Sequence, residues 1–318
     1  MQIVRRSSRD DSHPIPFNAN SVVTVGTFDG VHCGHQEIIR RMKDVAQQTD
    51  SRVVVVTFDP HPQIVLHKAG KPPVRLLSTI NERCAEFERL GVDLVVVIPF
   101  TTDFAQLSAE DFVTQVIVQD IGVRHFAIGY DHKFGKDRHG DEALLQKLGP
   151  MHGFTVEWIE PLACDSVVVS STRIRQALLE GDVEGAARML GRPYDLTGRV
   201  VRGDGRGRSV GFPTANIQVD DPHKLLPGRG VYAVVVHWNG DAYRGMANIG
   251  VRPTFTDGSE QTLEVHLLQT PDLNLYDHAV RVQFQHFLRP EQKFSSAEEF
   301  VAQLERDKQR TLNFQTTL

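Results

Sequence analysis

The sequence predicts an α/β protein in two parts. The first is an N-terminal unit on a doubly wound parallel sheet; the second is a small antiparallel β-barrel with a terminal helix. Three observations carry this. The chain has 318 residues, and at roughly 100–200 residues per domain that suggests two domains. Up to about residue 185, short β-branched runs alternate with helical patterns. Beyond it, strands follow one another between Gly, Pro, Asn and Asp, and only the last segment is clearly helical.

In order, the first part offers strands at Ser21–Val25, Arg52–Phe58, Asp93–Ile98, His125–Gly129 and Thr155–Ile159. Between them lie helix-like stretches at Gln36–Gln48, Thr79–Leu90, Ser108–Gln119 and Glu142–Leu148. Thr79 and Glu82 have capping-box spacing, and Ser108 suits an N-cap. Strand, helix, strand in this rhythm implies right-handed crossovers and a parallel sheet, whose ligands sit beyond the carboxyl ends of the strands. After helical stretches at Ser171–Leu179 and Asp182–Leu190, Gly191-Arg192-Pro193 punctuates the chain. Strands then read at Thr197–Arg202, Val231–His237, Ala242–Ile249, Leu263–Leu268 and Val280–Phe287. Ser296 and Glu299 can cap the last helix, where Phe300, Val301 and Leu304 share an apolar face. The expected division is residues 1–184 and 185–318.

Composition narrows the function. Charge is 35 − 40 = −5, and a mildly acidic chain is a poor general nucleic-acid coat, which needs a basic face. No apolar run approaches the ~18–20 residues of a membrane span. Residues 1–11 carry three Arg but no apolar core, so they do not read as a secretory signal. Cys33, Cys84 and Cys164 are widely spaced with no CxxC, which suggests neither a disulfide framework nor a zinc site. The expectation is a reduced, cytoplasmic protein with no nucleic-acid, membrane or obligatory protein partner.

The strand ending at Val25 runs into Gly26-Thr27-Phe28-Asp29-Gly30-Val31-His32-Cys33-Gly34-His35, and a helix follows. Gly26 and Gly30 permit a sharp turn and close approach to a ligand. A helix start offers N–H donors to an anion. His32 and His35, three apart, project the same way and suit charge stabilisation at a phosphate during nucleotidyl transfer. Alone, such a pair is more often surface or core filler; its setting favours a nucleotide. Ser171, Thr172 and Arg175 in Ser170-Ser171-Thr172-Arg173-Ile174-Arg175 form a possible anion clamp at another helix start, or a capped helix with exposed Arg. Asp59, in Phe58-Asp59-Pro60-His61-Pro62, suits a ribose or Mg²⁺ contact, or a Pro-rigidified turn.

The densest Gly/Arg stretch, 198–216, includes Gly203, Gly205 and Gly211 and suits a second phosphate cradle or a mobile basic loop. Thr214 and Asn216 alternate on an extended segment and so face one side, where they suit Mg²⁺ and a phosphate oxygen. Glu264 is one charge inside the apolar run Leu263–Leu267. It reads as the exposed face of an edge strand, or as a general base taking a proton from an alcohol.

Together GTFDGVHCGH, TFDPHP, GYDHKFG (Gly129–Gly135) and SSTRIR resemble the adenylyltransferase half of bacterial bifunctional riboflavin kinase/FMN adenylyltransferases. GRVVRGDGRGRSVGFPTAN, GVYA, NIGVRPTF, LEVHLL and VQFQHFLRPEQKF resemble the kinase half. The resemblance covers nearly the whole chain. It implies a nucleotidyltransferase-type sheet domain that joins FMN to the AMP part of ATP and releases pyrophosphate. It places His32, His35, Ser171, Thr172 and Arg175 around the ATP phosphates, with Gly26, Phe28 and Gly34 of the same turn. Asp59 and Asp131 lie nearer nucleotide and flavin. His132 stands where the family usually has Phe. In the barrel the resemblance implies that Thr214 and Asn216 hold Mg–ATP and that Glu264 activates the ribityl 5′-hydroxyl. The expected activity is riboflavin + ATP → FMN + ADP, then FMN + ATP → FAD + pyrophosphate. The partners are then riboflavin, FMN, FAD and ATP, with Mg²⁺ as cofactor. Another adenylyltransferase, a class I tRNA-synthetase-like protein lacking the lysine loop, and a non-catalytic flavin- or RNA-binding barrel are the alternatives.

Overall fold

The computed structural model describes the chain outside residues 7–13, 68–69, 71, 130–133, 137–138, 161–162, 165–166, 204–210, 254–258, 270–272 and 315–318. It divides into two compact units, Met1–Ser170 and Ser171–Leu318.

The first unit is a six-stranded parallel sheet. Its strands are β1 (Gln2–Arg5), β2 (Ser21–Val25), β3 (Arg52–Asp59), β4 (Leu94–Pro99), β5 (His125–Gly129) and β6 (Thr155–Ile159), in the order β1-β4-β3-β2-β5-β6. Its helices include α1 (Cys33–Thr49), the short α2 (Pro62–Val65), α3 (Ile80–Arg89), α4 (Ala109–Asp111) and α5 (Glu142–His152). α4 runs on into a wider π-helical stretch, Phe112–Ile121. The valine runs are continuous because both faces of the sheet are covered. Val53, Val55, Val95 and Val97 face Ile39 and Met42 of α1 and Phe87 of α3. Val54, Val56, Val96 and Ile98 face the layer that contains Phe112, Val116, Ile117 and Leu145. Strand order reverses between β2 and β5, so the crevice of a doubly wound sheet opens beyond the carboxyl end of β2. Edge strand β1 was not foreseen; of its four residues only Val4 is buried. A two-stranded pair, β7 (Ala163–Cys164) and β8 (Val167–Val168), follows the sheet.

The second unit begins with α6 (Ser171–Leu179) and α7 (Val183–Leu190). The residue-184 division expected from the sequence falls inside α7. Six antiparallel strands close a barrel: β9 (Tyr194–Val201), β10 (Ala215–Val219), β11 (Gly230–Trp238), β12 (Asp241–Pro253), β13 (Ser259–Leu267) and β14 (Ala279–Arg289). The order is β10-β13-β12-β11-β14-β9, with β9 returning to β10. Tyr194, Leu196 and Val200 alternate inward on β9, and Val280, Val282 and Phe284 do so on β14.

The terminal helix α8 (Ala297–Asn313) starts at a Ser296 cap and packs Val301, Leu304 and Leu312 on Phe212, Met246 and Leu268. Asp307 at its centre is fully buried and accepts from Arg289 Nε at 2.7 Å. Arg310 donates to the Leu288 carbonyl and Arg244 to that of Leu312.

Candidate active sites

In the sheet unit, Val25 ends β2 and the chain turns through Gly26–His32 before α1 begins. Phe28 and Val31 hold positive φ angles of 50° and 40°. A β-branched residue there is strained, at a cost of about 1–3 kcal/mol. Both side chains are buried, which offsets that cost. The turn is pinned from beneath. The Asp29 carboxylate, 2% exposed, accepts from the backbone N–H of Leu77 and Ser78. Ser78 Oγ accepts from Gly30 N–H at 2.7 Å. Arg83 of α3, 1% exposed, donates from Nη1 to the Thr27 carbonyl at 2.7 Å and to Thr57 Oγ1 at 2.8 Å. Its Nη2 reaches the Phe58 carbonyl at 3.2 Å. Burial pulls Arg83 below the ordinary arginine value, opposed by the charges of Asp29 and Asp59.

On this base His32 is the N-cap of α1 and His35 lies in its first turn. The two imidazoles stack at 3.6 Å between centroids, with Phe28 edge-on to His35 at 5.0 Å. Gly34 suits this packing, since a Cβ there would stand a crowded 3.2 Å from the His32 ring. Gly26 is likewise crowded, 3.0 Å from the Phe28 ring. The first turn of α1 carries no acidic side chain, and a helix N-terminus favours an anion. Asp59 ends neighbouring β3, partly exposed, 3.8 Å from Arg5 of β1. The structure thus groups Gly26, Phe28, His32, Gly34 and His35 on one turn, with Asp59 at the end of the adjacent strand. Asp131, with His132, lies outside the described residues. Ser171, Thr172 and Arg175 occupy the first turns of α6, in the second unit.

The barrel builds its site from strand register. Asn216 of β10 faces Glu264 of β13, and Glu264 faces Asn248 of β12. Three adjacent strands therefore place an amide, a carboxylate and an amide in one row. Thr214, just before β10, donates from Oγ1 to Glu264 Oε2 at 3.3 Å. Gly203 lies against Asn216 so closely that any Cβ would overlap the amide, 2.0 Å from its nitrogen. Gly211 has φ +80°, a left-handed conformation that favours glycine. Gly205 lies outside the described residues. Glu264 is half-buried rather than an edge-strand surface charge, because β13 is paired on both sides in the closed barrel.

Three residues here were missed by the sequence reading. Asn248 lies beside Glu264 only through register. His266, two residues beyond Glu264 and so on the same face, bonds the Pro213 carbonyl through Nδ1 at 2.7 Å and packs on Phe212 at 5.0 Å. Because a carbonyl only accepts, Nδ1 carries a proton. Burial pulls His266 below the ordinary histidine value, against the raising effect of that carbonyl, and Lys308 lowers it further. Arg83 is the third; its signal was its place four residues before Phe87, on the helix face that packs inward.

The fold defines a class first: a two-unit α/β protein, a parallel-sheet unit followed by a closed antiparallel barrel. Family models then match FAD synthetase at residues 15–173 and riboflavin kinase at residues 190–315. The bifunctional riboflavin kinase/FMN adenylyltransferase of Listeria monocytogenes serovar 1/2a is 40% identical over 306 residues, 95% of this chain and 96% of its own. That of Escherichia coli strain K12 is 39% identical over 287 residues, 90% of each chain. A crystal structure named as a macrolide-efflux protein from Streptococcus pneumoniae has 32% identity and a TM-score of 0.89, covering 99% of this chain and 100% of that one. Efflux is said of that protein; among the described residues here no helix is long and apolar enough to cross a membrane. The chain belongs to the family of bifunctional riboflavin kinase/FMN adenylyltransferases.

Proposed function

We propose that the two sites divide the synthesis of FAD, the barrel acting on riboflavin and the sheet unit on FMN. By family the chain is a riboflavin kinase and an FMN adenylyltransferase, and both reactions use ATP. The observation that carries the residue assignment is Glu264, hydrogen-bonded by Thr214 within a row of amides.

In the kinase step the nucleophile is a neutral alcohol. Glu264 takes the proton of the ribityl 5′-hydroxyl as its oxygen bonds to the γ-phosphorus of ATP and ADP leaves. Thr214 and Asn216 hold the nucleotide phosphates, with Gly203, Gly205 and Gly211 letting the backbone approach. The donors beside Glu264 are a hydroxyl and an amide, oxygen ligands of the kind Mg²⁺ takes before completing its shell with phosphate and water. A hydroxyl that donates to Glu264 keeps its lone pairs for a cation, so Thr214 fits that ligand role. When bound, Mg²⁺ neutralises charge on the transferring phosphoryl oxygens.

In the adenylyl step the FMN phosphate is already anionic, so no base is needed. Its oxygen bonds to the α-phosphorus of ATP, the α–β bridge breaks, and pyrophosphate leaves. His32 and His35 donate to the charge that develops there, and the turn with Gly26, Phe28 and Gly34 positions the phosphates. The family resemblance also assigns Ser171, Thr172 and Arg175 to the ATP phosphates, and Asp59 and Asp131 to nucleotide and flavin. On this reading riboflavin, FMN, FAD and ATP are the partners. No nucleic acid, membrane or obligatory protein partner is required, and the chain works in the cytoplasm.

The test is Glu264→Gln, which keeps shape and removes the basic oxygen. Riboflavin phosphorylation at saturating ATP falls by about 10²–10⁴, the usual worth of a general base, while FAD forms from supplied FMN at the parental rate. A kinase rate within about threefold of the parent, far short of that range, makes Glu264 a strand residue only.

A further inference from the structure

Arg83 is a buried cation with no role in the chemistry above. Three of its hydrogen bonds run to two different segments. One goes to the Thr27 carbonyl in the turn after β2; the others go to Thr57 Oγ1 and the Phe58 carbonyl at the end of β3. Thr57, fully buried, also donates to the Thr27 carbonyl at 3.3 Å, closing a triangle. Asp29 and Ser78 hold the far side of the same turn to residues 77 and 78, one turn before Arg83's own helix. The segment from Leu77 to Arg83 therefore splints the turn that carries His32 and His35, and Arg83, together with Thr57, ties that turn to the strand end that carries Asp59.

A buried guanidinium is an expensive way to hold two backbone segments. Desolvating a guanidinium costs several kcal/mol, and apolar packing often does as well for stability. What a planar fork supplies is fixed geometry between two acceptors. We propose that Arg83 is a positioning residue of the adenylyl site, setting the distance between the phosphate-binding turn and the Asp59 strand end. The proposal rests on the sheet unit being the adenylyltransferase.

The experiment compares FMN adenylylation by Arg83→Met, Arg83→Lys and Thr57→Val in the full chain, with riboflavin phosphorylation as internal reference. If two walls of the site are set wrongly, ATP meets a displaced turn. A shift near 1 Å costs about 10²-fold in rate, and ground-state contacts weaken too. Arg83→Met is expected to lower kcat at least tenfold and raise KM for ATP about fivefold, with kinase kcat within twofold. Arg83→Lys, keeping charge and one donor, restores KM to within about twofold. Thr57→Val, losing one leg of the triangle, raises KM for ATP about threefold.

KM separates this from a packing role, because a fraction of unfolded chain lowers apparent kcat and leaves KM untouched. KM for ATP at the parental value in Arg83→Met overturns the proposal. If that variant yields no folded chain, Thr57→Val decides on the same criterion. A His32→Ala, His35→Ala chain is run beside them. If it keeps adenylylation, the site reading falls; if it loses activity while the Arg83 and Thr57 variants keep parental KM, only the positioning role falls.

Discussion

The two sites are held in shape by different means. The sheet unit's site is one irregular turn, with positive φ at Phe28 and Val31 and its donors aimed by backbone. Nothing in a parallel ladder fixes such a turn, so a buried polar network of Asp29, Ser78, Thr57 and Arg83 does. The barrel's site needs less support, because the ladder that closes the barrel places Asn216, Glu264 and Asn248 in register. The difference also tracks chemistry. On the proposed assignment, a phosphate nucleophile needs only donors and position, which a turn supplies, and an alcohol needs a base, which a strand carries rigidly.

Breaking one side should leave the other standing. Replacing His32 and His35 together with Ala lowers FAD formation from FMN by about 10²–10³-fold, the usual worth of preorganised donors. Riboflavin phosphorylation by the same chain stays within about twofold. Flavin chromatography reads both rates, and parallel loss of the two would mean one shared site or a folding defect.

Stability should separate in the same way. Asp307→Ala leaves Arg289, largely buried, without its partner and removes the anchor of α8. A cost of about 3–5 kcal/mol is expected for breaking a buried pair. Trp238 in the barrel, followed in a Trp158→Phe background, reports that loss by denaturant unfolding. Trp158, in β6, reports an unchanged sheet unit in the reciprocal background.

The smallest effect concerns pH. His266 has a folded-state value below its unfolded one, with burial as the chief cause. Its neutral form is therefore the one the fold prefers. That contribution is complete above the unfolded value of about 6.5 and is lost as pH falls through it toward the folded value. Barrel stability should decline as pH falls below about 6.5, and His266→Gln should flatten the slope. An unchanged slope would remove His266 from the titration.

The fold was legible where physics is local. Val53–Val56 and Leu94–Ile98 read as strands because both sheet faces are covered, and the start of α3 read from its Thr79–Glu82 capping box, which the structure contains. β1 was not legible, since four residues with one buried side chain carry almost no pattern. Glu264 stood out as a charge in an apolar strand. Asn248 did not, because its meaning lies in a cross-strand partner sixteen residues away in sequence. Arg83 sits between Glu82 and Glu86 and resembles a surface charge; only tertiary packing buries it.

The central claim is that the two reactions occur at two independent sites. The most direct test mixes two chains: Glu264→Gln, expected to be deficient in riboflavin phosphorylation, and His32→Ala, His35→Ala, expected to be deficient in FMN adenylylation. Given riboflavin and Mg–ATP, each alone should yield little FAD, the second accumulating FMN. Together they should produce FAD after a lag, as FMN made by one chain is consumed by the other. A mixture that makes no FAD, while each chain retains its own half-reaction on supplied substrate, would contradict the account.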